Sequence, residues 1–286
     1  MKLSPVDIVG FLLPKDGGSE RIAQDLAYGP DARHRLDIYA PRKMLAPAPP
    51  VVVFFYGGSW STGGKEAYAF VGRALAALGY VVVVPDYRLV PDVEYPAFLD
   101  DCARAVAWVG QNINRYGGDW TRMALAGHSA GAYNAVMTTL EPGLVEAHGQ
   151  KAAICGVIGL SGPYDFFPFD GPISMRVFGA VPDPQSTQPV NHVAAGAPPM
   201  FLGQGERDTL VYPRNSLRLA EELQRSGHAR RPVSTRAWPM PDRCSASVCR
   251  CAGARPYWLT WRVSCARSLA LAAELALTVA RRDQGG

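Results

Sequence analysis

The segment Gly127-His128-Ser129-Ala130-Gly131 decides how the rest of this chain is interpreted. It follows residues 122–126, an apolar run of strand type, and precedes residues 132–140, a run typical of a helix. A serine on a sharp strand-to-helix turn needs small neighbours, because its backbone is strained there and the strand and helix pass close together. The two glycines of the segment meet that need. Such a turn lifts the serine hydroxyl out of the sheet towards free backbone N–H groups, so the pattern predicts a nucleophilic serine.

Strand and helix patterns alternate on both sides of this segment. Residues 51–56 and 81–84 are continuous apolar runs of the kind found in strands buried on both faces. Residues 34–40 alternate polar and apolar side chains, which predicts an early, half-exposed strand. Further strands are predicted at 154–160, 200–203 and 233–238, and helices at 67–78, 97–116 and 214–226. The alternation predicts an α/β fold with a mostly parallel central sheet and helices on both faces.

Two segments carry more specific expectations. The helix at 214–226 is amphipathic, and its apolar face is expected to contain Leu217, Leu219, Ala220 and Leu223. Residues 163–198 are rich in Pro, Asp and Phe and have weak periodicity. They are expected to form an irregular insertion over one end of the sheet, where acyl-pocket walls often lie.

Composition narrows the class of protein. The 286 residues, 48% hydrophobic and 19% charged, suit a single α/β domain over residues 1–286. No basic stripe interleaves with aromatic residues, so nucleic acid is not an expected partner. The N-terminus lacks a signal-peptide pattern and no run is long enough to span a membrane, so a cytoplasmic protein is expected.

Four cysteines cluster near the end of the chain, Cys244, Cys249, Cys251 and Cys265. No histidine follows residue 228 to complete a zinc site with them, so neither a metal site nor a cofactor is expected. The oligomeric state is not indicated.

Acyl transfer by a serine requires donors for the oxyanion of the tetrahedral intermediate. Tyr56-Gly57-Gly58-Ser59-Trp60 ends a buried strand, and its glycines allow the backbone N–H groups to approach a substrate oxygen. Gly57, Gly58 and Ala130, the residue after the serine, are therefore the predicted oxyanion hole, in which removing one donor costs about 2.7–4 kcal/mol.

The orienting acid is expected after the strand at 200–203. Asp208, in the sequence Gly205-Glu206-Arg207-Asp208, would lie at the same carboxyl edge of the sheet as Ser129, where ligand sites gather. Glu206 is the alternative.

No histidine occupies the place where the base is expected, after the strand at 233–238. The five histidines are His34, His128, His148, His192 and His228, and each is interpreted as a surface or structural residue. His128 adjoins the serine but is expected to point elsewhere.

From about residue 28 to residue 238 the chain resembles bacterial α/β-hydrolases of the esterase/lipase group, related to the hormone-sensitive-lipase-like and feruloyl-esterase-like enzymes. The motifs that carry the resemblance are Tyr56–Trp60, Asp86–Leu89, Tyr95–Ala97, Tyr116–Asp119, Gly127–Gly131, Ala197–Pro199 and Gly205–Asp208. The resemblance implies a carboxylic-ester hydrolase with Ser129 as nucleophile and Asp208 as triad acid.

The chain departs from this group at its end. The group carries Pro-Gly-x-x-His after the last long strand, whereas this chain reads Trp238-Pro239-Met240-Pro241-Asp242. If the Pro239 codon ends in C, the next reading frame forms a histidine codon from that base and the first two bases of Met240. The tail at 239–286 is therefore hypothesised to result from a frameshift, in the gene or in its sequencing.

The leading interpretation is a serine esterase that cleaves small or short-acyl carboxylic esters through an acyl-enzyme. The alternatives are an arylformamidase-type amidase, which uses a similar Gly-Gly-x-Trp loop, and a catalytically impaired hydrolase homologue, because the histidine is missing.

Overall fold

The computed structural model describes residues 17–43, 48–151, 153–228 and 234–238, the last five and residues 227–228 by their backbone alone. In these residues eight strands form one sheet in the order β1-β2-β4-β3-β5-β6-β7-β8. The strands are β1 Ser19–Ala27, β2 Arg35–Pro41, β3 Pro50–Phe55, β4 Val81–Pro85, β5 Asp119–His128, β6 Ile154–Leu160, β7 Met200–Gly205 and β8 Ser234–Trp238. The α-helices are α1 Ala69–Ala77, α2 Ala97–Asn112, α3 Ala130–Leu140, α4 Gly143–Glu146, α5 Pro172–Phe178 and α6 Arg214–Leu223.

The direction of the strands follows the predicted pattern. Strand β2 is antiparallel to both of its neighbours, β1 and β4. Every pair from β4 through β8 is parallel. This sheet, with its connecting helices, is the α/β-hydrolase fold, which confirms the fold class predicted from the sequence. The carboxyl ends of β3, β5, β6, β7 and β8 therefore meet along one edge.

The centre of the sheet is buried on both faces. All of residues 51–55 and 81–84 are at most 1% exposed. Because neighbouring residues of a strand point to opposite faces, both faces of β3 and β4 must be covered by other elements. The burial predicted from the two apolar runs is confirmed.

The predicted half-exposed strand at 34–40 is wrong in its exposure. Residues 36–41 of β2 are buried, including Asp37. The Asp37 carboxylate lies 2.9 Å from an Arg21 guanidinium nitrogen and 3.1 Å from the Lys65 ammonium, so its charge is paired inside the fold. Polar residues that alternate along a strand indicate exposure only when no partner covers them. Strand β1, which covers the outer edge of β2, was not predicted.

The helix after β7 shows a second departure. In α6, Leu219, Ala220 and Leu223 are buried as predicted, but Leu217 is 52% exposed. At 100° per residue the buried positions centre on a face that also contains Asn215 and Ser216, and Leu217 lies more than a right angle away from it. Its assignment to the apolar face was wrong.

The segment at 163–198 is mostly irregular, with α5 and two short 3-10 turns as its regular parts. Phe178 at the end of α5 packs edge-on against Trp60, with ring centroids 5.0 Å apart. The Tyr133 hydroxyl donates to the Thr187 carbonyl at 2.8 Å. The insertion therefore packs against the first turn of α3 and the loop after β3.

Candidate active site

Ser129 lies between the end of β5 and the start of α3 in a strained backbone conformation, with φ 53° and ψ −121°. This left-handed geometry is costly for a residue with a side chain, about 1–3 kcal/mol, and persists only where the surroundings enforce it. Backbone hydrogen bonds contribute to this. The Ser129 N–H donates to the Leu160 carbonyl of β6 at 2.8 Å, and its carbonyl accepts from the Ala132 N–H at 2.9 Å.

The flanking glycines are required by contact rather than by flexibility. A Cβ atom on Gly127 would lie 2.2 Å from the Gly131 carbonyl oxygen. A Cβ atom on Gly131 would lie 2.0 Å from the Phe55 carbonyl oxygen of β3. Strand, helix and neighbouring strand therefore approach at backbone-to-backbone distance around Ser129. This is the close approach that the sequence pattern predicts.

The loop after β3 lies beside Ser129. A Cβ atom on Gly57 would be 3.1 Å from the Ser129 Cβ atom, so the Gly57 backbone borders the serine directly. Gly58 has a φ of 139°, and Ser59 and Trp60 have φ values of 54° and 56°. Three consecutive residues with positive φ, which is uncommon for residues with a side chain, turn the chain sharply. The start of the loop thereby lies against the start of α3, where Ala130 is buried. Gly57 and Ala130 are thus neighbours of the serine, and the role of Gly57, Gly58 and Ala130 as an oxyanion hole stays a prediction.

Trp60 anchors the middle of this loop. Its indole N–H donates to the Asn134 side-chain oxygen on α3 at 3.0 Å. Its carbonyl accepts from the Val90 N–H at 2.8 Å. The ring also packs edge-on against Tyr133, at 5.3 Å between centroids. The aromatic contacts supply a buried surface that offsets the backbone strain.

Asp208 is held in a turn that follows β7. One oxygen of its carboxylate accepts the N–H groups of Leu210 and Val211, each at 3.0 Å. The other accepts from the Gln204 side-chain amide at 3.2 Å. Strand β7 is two strands away from β5, about 10 Å at the usual strand spacing. Glu206, the alternative acid, is exposed.

Gln204 was not predicted as a site residue. Its amide N–H₂ donates both to Asp208 and to the Val211 carbonyl, the latter at 2.9 Å. Its amide oxygen accepts from the Ser216 hydroxyl of α6 at 3.1 Å. The Ser216 bond fixes which end of the amide faces the carboxylate. No local sequence signal identifies this contact, because Gln204 is one buried strand residue among several.

His128 is partly buried and lies beside the loop after β3. Its Nδ1 is 2.9 Å from the Tyr68 hydroxyl oxygen, and a Cβ atom on Gly57 would lie 3.0 Å from the same Nδ1. Burial lowers the pKa of His128 to about 4, and the negative charge of Asp208 offsets part of that fall. At neutral pH this imidazole is therefore uncharged, and its ring is directed towards Tyr68 and Gly57.

The other histidines with described side chains are engaged elsewhere. His34 Nε2 lies 2.9 Å from the Asp101 carboxylate, and His148 Nε2 lies 2.8 Å from that of Asp100. His192 Nδ1 lies 2.8 Å from the Glu141 carboxylate. These contacts agree with the structural roles predicted for them. The position after β8, where a base would follow, and the tail at 239–286 lie outside the described residues.

The described part of the chain contains no group of three or more His, Cys, Asp or Glu side chains placed to hold a metal ion. In the same residues, no helix has both the length and the apolar character that crossing a membrane requires.

Comparison with known proteins identifies relatives that match between about half and three quarters of this chain. The model of the BD-FAE family matches residues 36–223. Esterase LipQ of Mycobacterium tuberculosis is 33% identical over 230 residues, which cover 72% of this chain and 53% of that protein. A probable isoprenylcysteine alpha-carbonyl methylesterase of Oryza sativa is 36% identical over 152 residues, 51% of this chain and 36% of that protein. The chain thus matches between about a third and a half of the length of these relatives.

A solved structure reproduces the fold. The crystal structure of esterase B from Lactobacillus rhamnosis superposes with a TM-score of 0.74 at 18% identity, covering 98% of this chain and 93% of that one. At this identity the likeness concerns the fold.

Proposed function

This chain belongs to the BD-FAE family, within the hormone-sensitive-lipase-like carboxylesterases of α/β-hydrolase fold, and on that premise we propose that it hydrolyses small or short-acyl carboxylic esters through an acyl-enzyme on Ser129. The observation that carries the proposal is the strained Ser129 backbone, with φ 53° and ψ −121°, bordered by the Gly57 backbone. A fold keeps such strain where a side chain must be presented for chemistry. The esterase names of the relatives also support this reading.

In the proposed reaction, the Ser129 oxygen attacks the ester carbonyl carbon. The carbonyl oxygen gains the negative charge and accepts hydrogen bonds from the N–H groups of Gly57, Gly58 and Ala130. The tetrahedral intermediate expels the alcohol and leaves the acyl group on Ser129, and water then releases the acid. Asp208 would orient the base that takes and returns the proton.

Among the residues whose side chains the structure describes, none is assigned to the proton transfer. No histidine follows residue 228, and the four described histidine side chains are bonded as given above. We therefore propose that the chain as written hydrolyses esters slowly, and that free imidazole supplied in solution accelerates the reaction at Ser129. The frameshift hypothesis for residues 239–286 stays a prediction, and so does the expected cytoplasmic location. A Pro239 codon that cannot yield histidine in the shifted frame would exclude the frameshift.

Labelling with a fluorophosphonate tests the nucleophile. We expect modification of the Ser129 peptide, faster when imidazole is present and absent in Ser129→Ala. Hydrolysis of p-nitrophenyl acetate, butyrate and decanoate, compared in the same two proteins, tests the acyl length. Labelling at another residue would refute the assignment of the nucleophile.

N-formylkynurenine in parallel assays tests the arylformamidase alternative, which the esterase relatives do not favour. The alternative of an impaired homologue predicts that imidazole has no Ser129-dependent effect.

A further inference from the structure

Arg33 bridges the two ends of the loop that carries the oxyanion-hole glycines. It lies in the connection before β2, and because β2 runs antiparallel to β4, this connection reaches the carboxyl edge of the sheet. One guanidinium nitrogen donates to the Tyr56 hydroxyl at 2.7 Å and to the Gly63 carbonyl at 3.1 Å. Tyr56 precedes the first glycine of the loop and Gly63 ends it.

The same side chain reaches a third strand. Arg33 Nε donates to the Tyr87 carbonyl, just after β4, at 2.8 Å. The Tyr87 hydroxyl in turn donates to the Tyr56 carbonyl at 2.7 Å, and the two rings stack at 4.6 Å. Arg33 and Tyr87 thus fix both the backbone and the ring of the residue before Gly57.

Asp86 contacts both Arg33 and the residues that follow the loop. Its carboxylate accepts the Lys65 N–H at 2.8 Å, directly after the loop, and lies 3.8 Å from the Arg33 guanidinium. The motif Asp86-Tyr87 therefore has a physical role at this loop. Between these anchored ends lie residues 58–60 with positive φ, whose strain must be held by the surroundings.

We infer that Arg33 is a positioning residue for the oxyanion hole, one that holds the Gly57 and Gly58 N–H groups in place by tying Tyr56 to Gly63. The inference rests on the function proposed for this loop. A planar guanidinium can donate along several directions at once, whereas a lysine ammonium on a flexible stem cannot reproduce that fork. The loop therefore depends on the planar geometry of the Arg33 guanidinium as well as on its positive charge.

Arg33→Ala and Arg33→Lys test the inference, with Arg122→Ala as matched control. Arg122 is a similarly exposed arginine that bonds a carboxylate, Asp119 at 2.7 Å, and a backbone carbonyl, that of Ala48, but at the amino end of β5. Ser129-dependent hydrolysis of p-nitrophenyl acetate is measured with imidazole supplied. A misplaced donor should lower kcat by about 10- to 100-fold in Arg33→Ala, with KM changed less than about 3-fold. Arg33→Lys should fall between Arg33→Ala and wild type, and the Arg122→Ala rate should stay at the wild-type level.

Two further readouts separate positioning from general stability. Millimolar, non-denaturing guanidinium chloride should recover part of the kcat of Arg33→Ala, because the ion can bind where the Arg33 guanidinium was and donate to the same acceptors. It should not raise the kcat of Arg122→Ala. Amide hydrogen exchange should accelerate in peptides covering residues 56–63 of Arg33→Ala and remain unchanged around Asp208.

The outcomes are distinct. Unchanged kcat and unchanged exchange in residues 56–63 would overturn the inference, as would equal losses in Arg33→Ala and Arg122→Ala. If wild type shows no Ser129-dependent hydrolysis even with imidazole, the proposed function fails, and the exchange comparison alone decides whether Arg33 holds the loop.

Discussion

The nucleophile side of the candidate site is fixed by backbone contact, whereas the acid side is fixed by hydrogen bonds to side chains. Around Ser129, a Cβ atom on either flanking glycine would come within 2.2 Å of a backbone oxygen. Around Asp208, the turn is held because its carboxylate accepts two backbone N–H groups and the Gln204 amide. The packing around Ser129 leaves no room for an added atom. The turn at Asp208 can accept a side chain of another shape, but it needs a carboxylate or similar acceptor for these hydrogen bonds.

This difference predicts how substitutions near Ser129 and substitutions near Asp208 will affect stability and rate. A substitution on the nucleophile side must move two strands and a helix, so its effect is expected first in stability. A substitution on the acid side leaves the strands in place and changes only how one carboxylate is held. Its effect is expected first in rate, so the two halves can be separated experimentally.

The largest expected effect is that of Gly131→Ala. The new Cβ atom would lie 2.0 Å from the Phe55 carbonyl oxygen, and the free energy of unfolding should fall by about 3 kcal/mol or more. Gly143→Ala is the matched control, since nothing lies within 4 Å of its Cβ position. That helical change should leave stability equal or raise it by about 0.5–1 kcal/mol. Equal denaturation midpoints for Gly131→Ala and wild type would contradict the claim that backbone contact fixes the surroundings of Ser129.

Asp208→Asn should act on rate. The amide cannot orient an imidazolium as a carboxylate does, so Ser129-dependent, imidazole-assisted hydrolysis should fall by about 10- to 100-fold. Glu206→Gln, two residues away and exposed, should change the rate less than about 2-fold. The reverse order of effects would transfer the acid role to Glu206.

His128→Gln tests the electrostatics at the junction between the two halves. The unfolded chain binds a proton on this histidine below pH 6.5, whereas in the fold its pKa is about 4. Wild type therefore loses stability as the pH falls from 6.5 to 4, and the variant should lose about 1–2 kcal/mol less over that range. Asp86, whose pKa burial raises to about 6, is present in both proteins, so its opposite contribution cancels in the difference. Parallel stability curves for the two proteins would show that His128 titrates normally.

Gln204→Met should have the smallest effect on the rate. Methionine fills a similar volume but cannot donate to Asp208, so the imidazole-assisted rate should fall by about 3- to 10-fold. It also cannot accept from the buried Ser216 hydroxyl, so the free energy of unfolding should fall by about 1–3 kcal/mol. Gln24→Met is the control, because Gln24 also donates to a carboxylate, that of Asp25 at 3.0 Å, but on an exposed edge strand. A drop in unfolding midpoint without a drop in rate would assign Gln204 a packing role.

What the sequence predicted correctly shares one property: the information is local. The glycines around Ser129 are close in sequence to the strain that they permit, and the apolar runs at 51–56 and 81–84 report their own burial. The errors arose where a distant partner decides the outcome. Asp37 is buried because Arg21 and Lys65 reach it from other elements.

The missed residues follow the same rule. Arg33 is separated from Tyr56 by 23 positions and from Tyr87 by 54, so no spacing along the chain links it to the oxyanion loop. Gln204 depends on Ser216, which lies on the following helix. Such contacts become visible only when the strands are assembled.

The central claim is the proposal that Ser129 is the nucleophile of this site. Its most direct test is to locate the acetyl group after reaction with p-nitrophenyl acetate. Samples are quenched in acid with and without imidazole, and the peptides are identified by mass spectrometry. The account predicts acetylation of the Ser129 peptide, faster with imidazole, and none in Ser129→Ala. Acetylation at other residues only, or an equal effect of imidazole on wild type and Ser129→Ala, would contradict it.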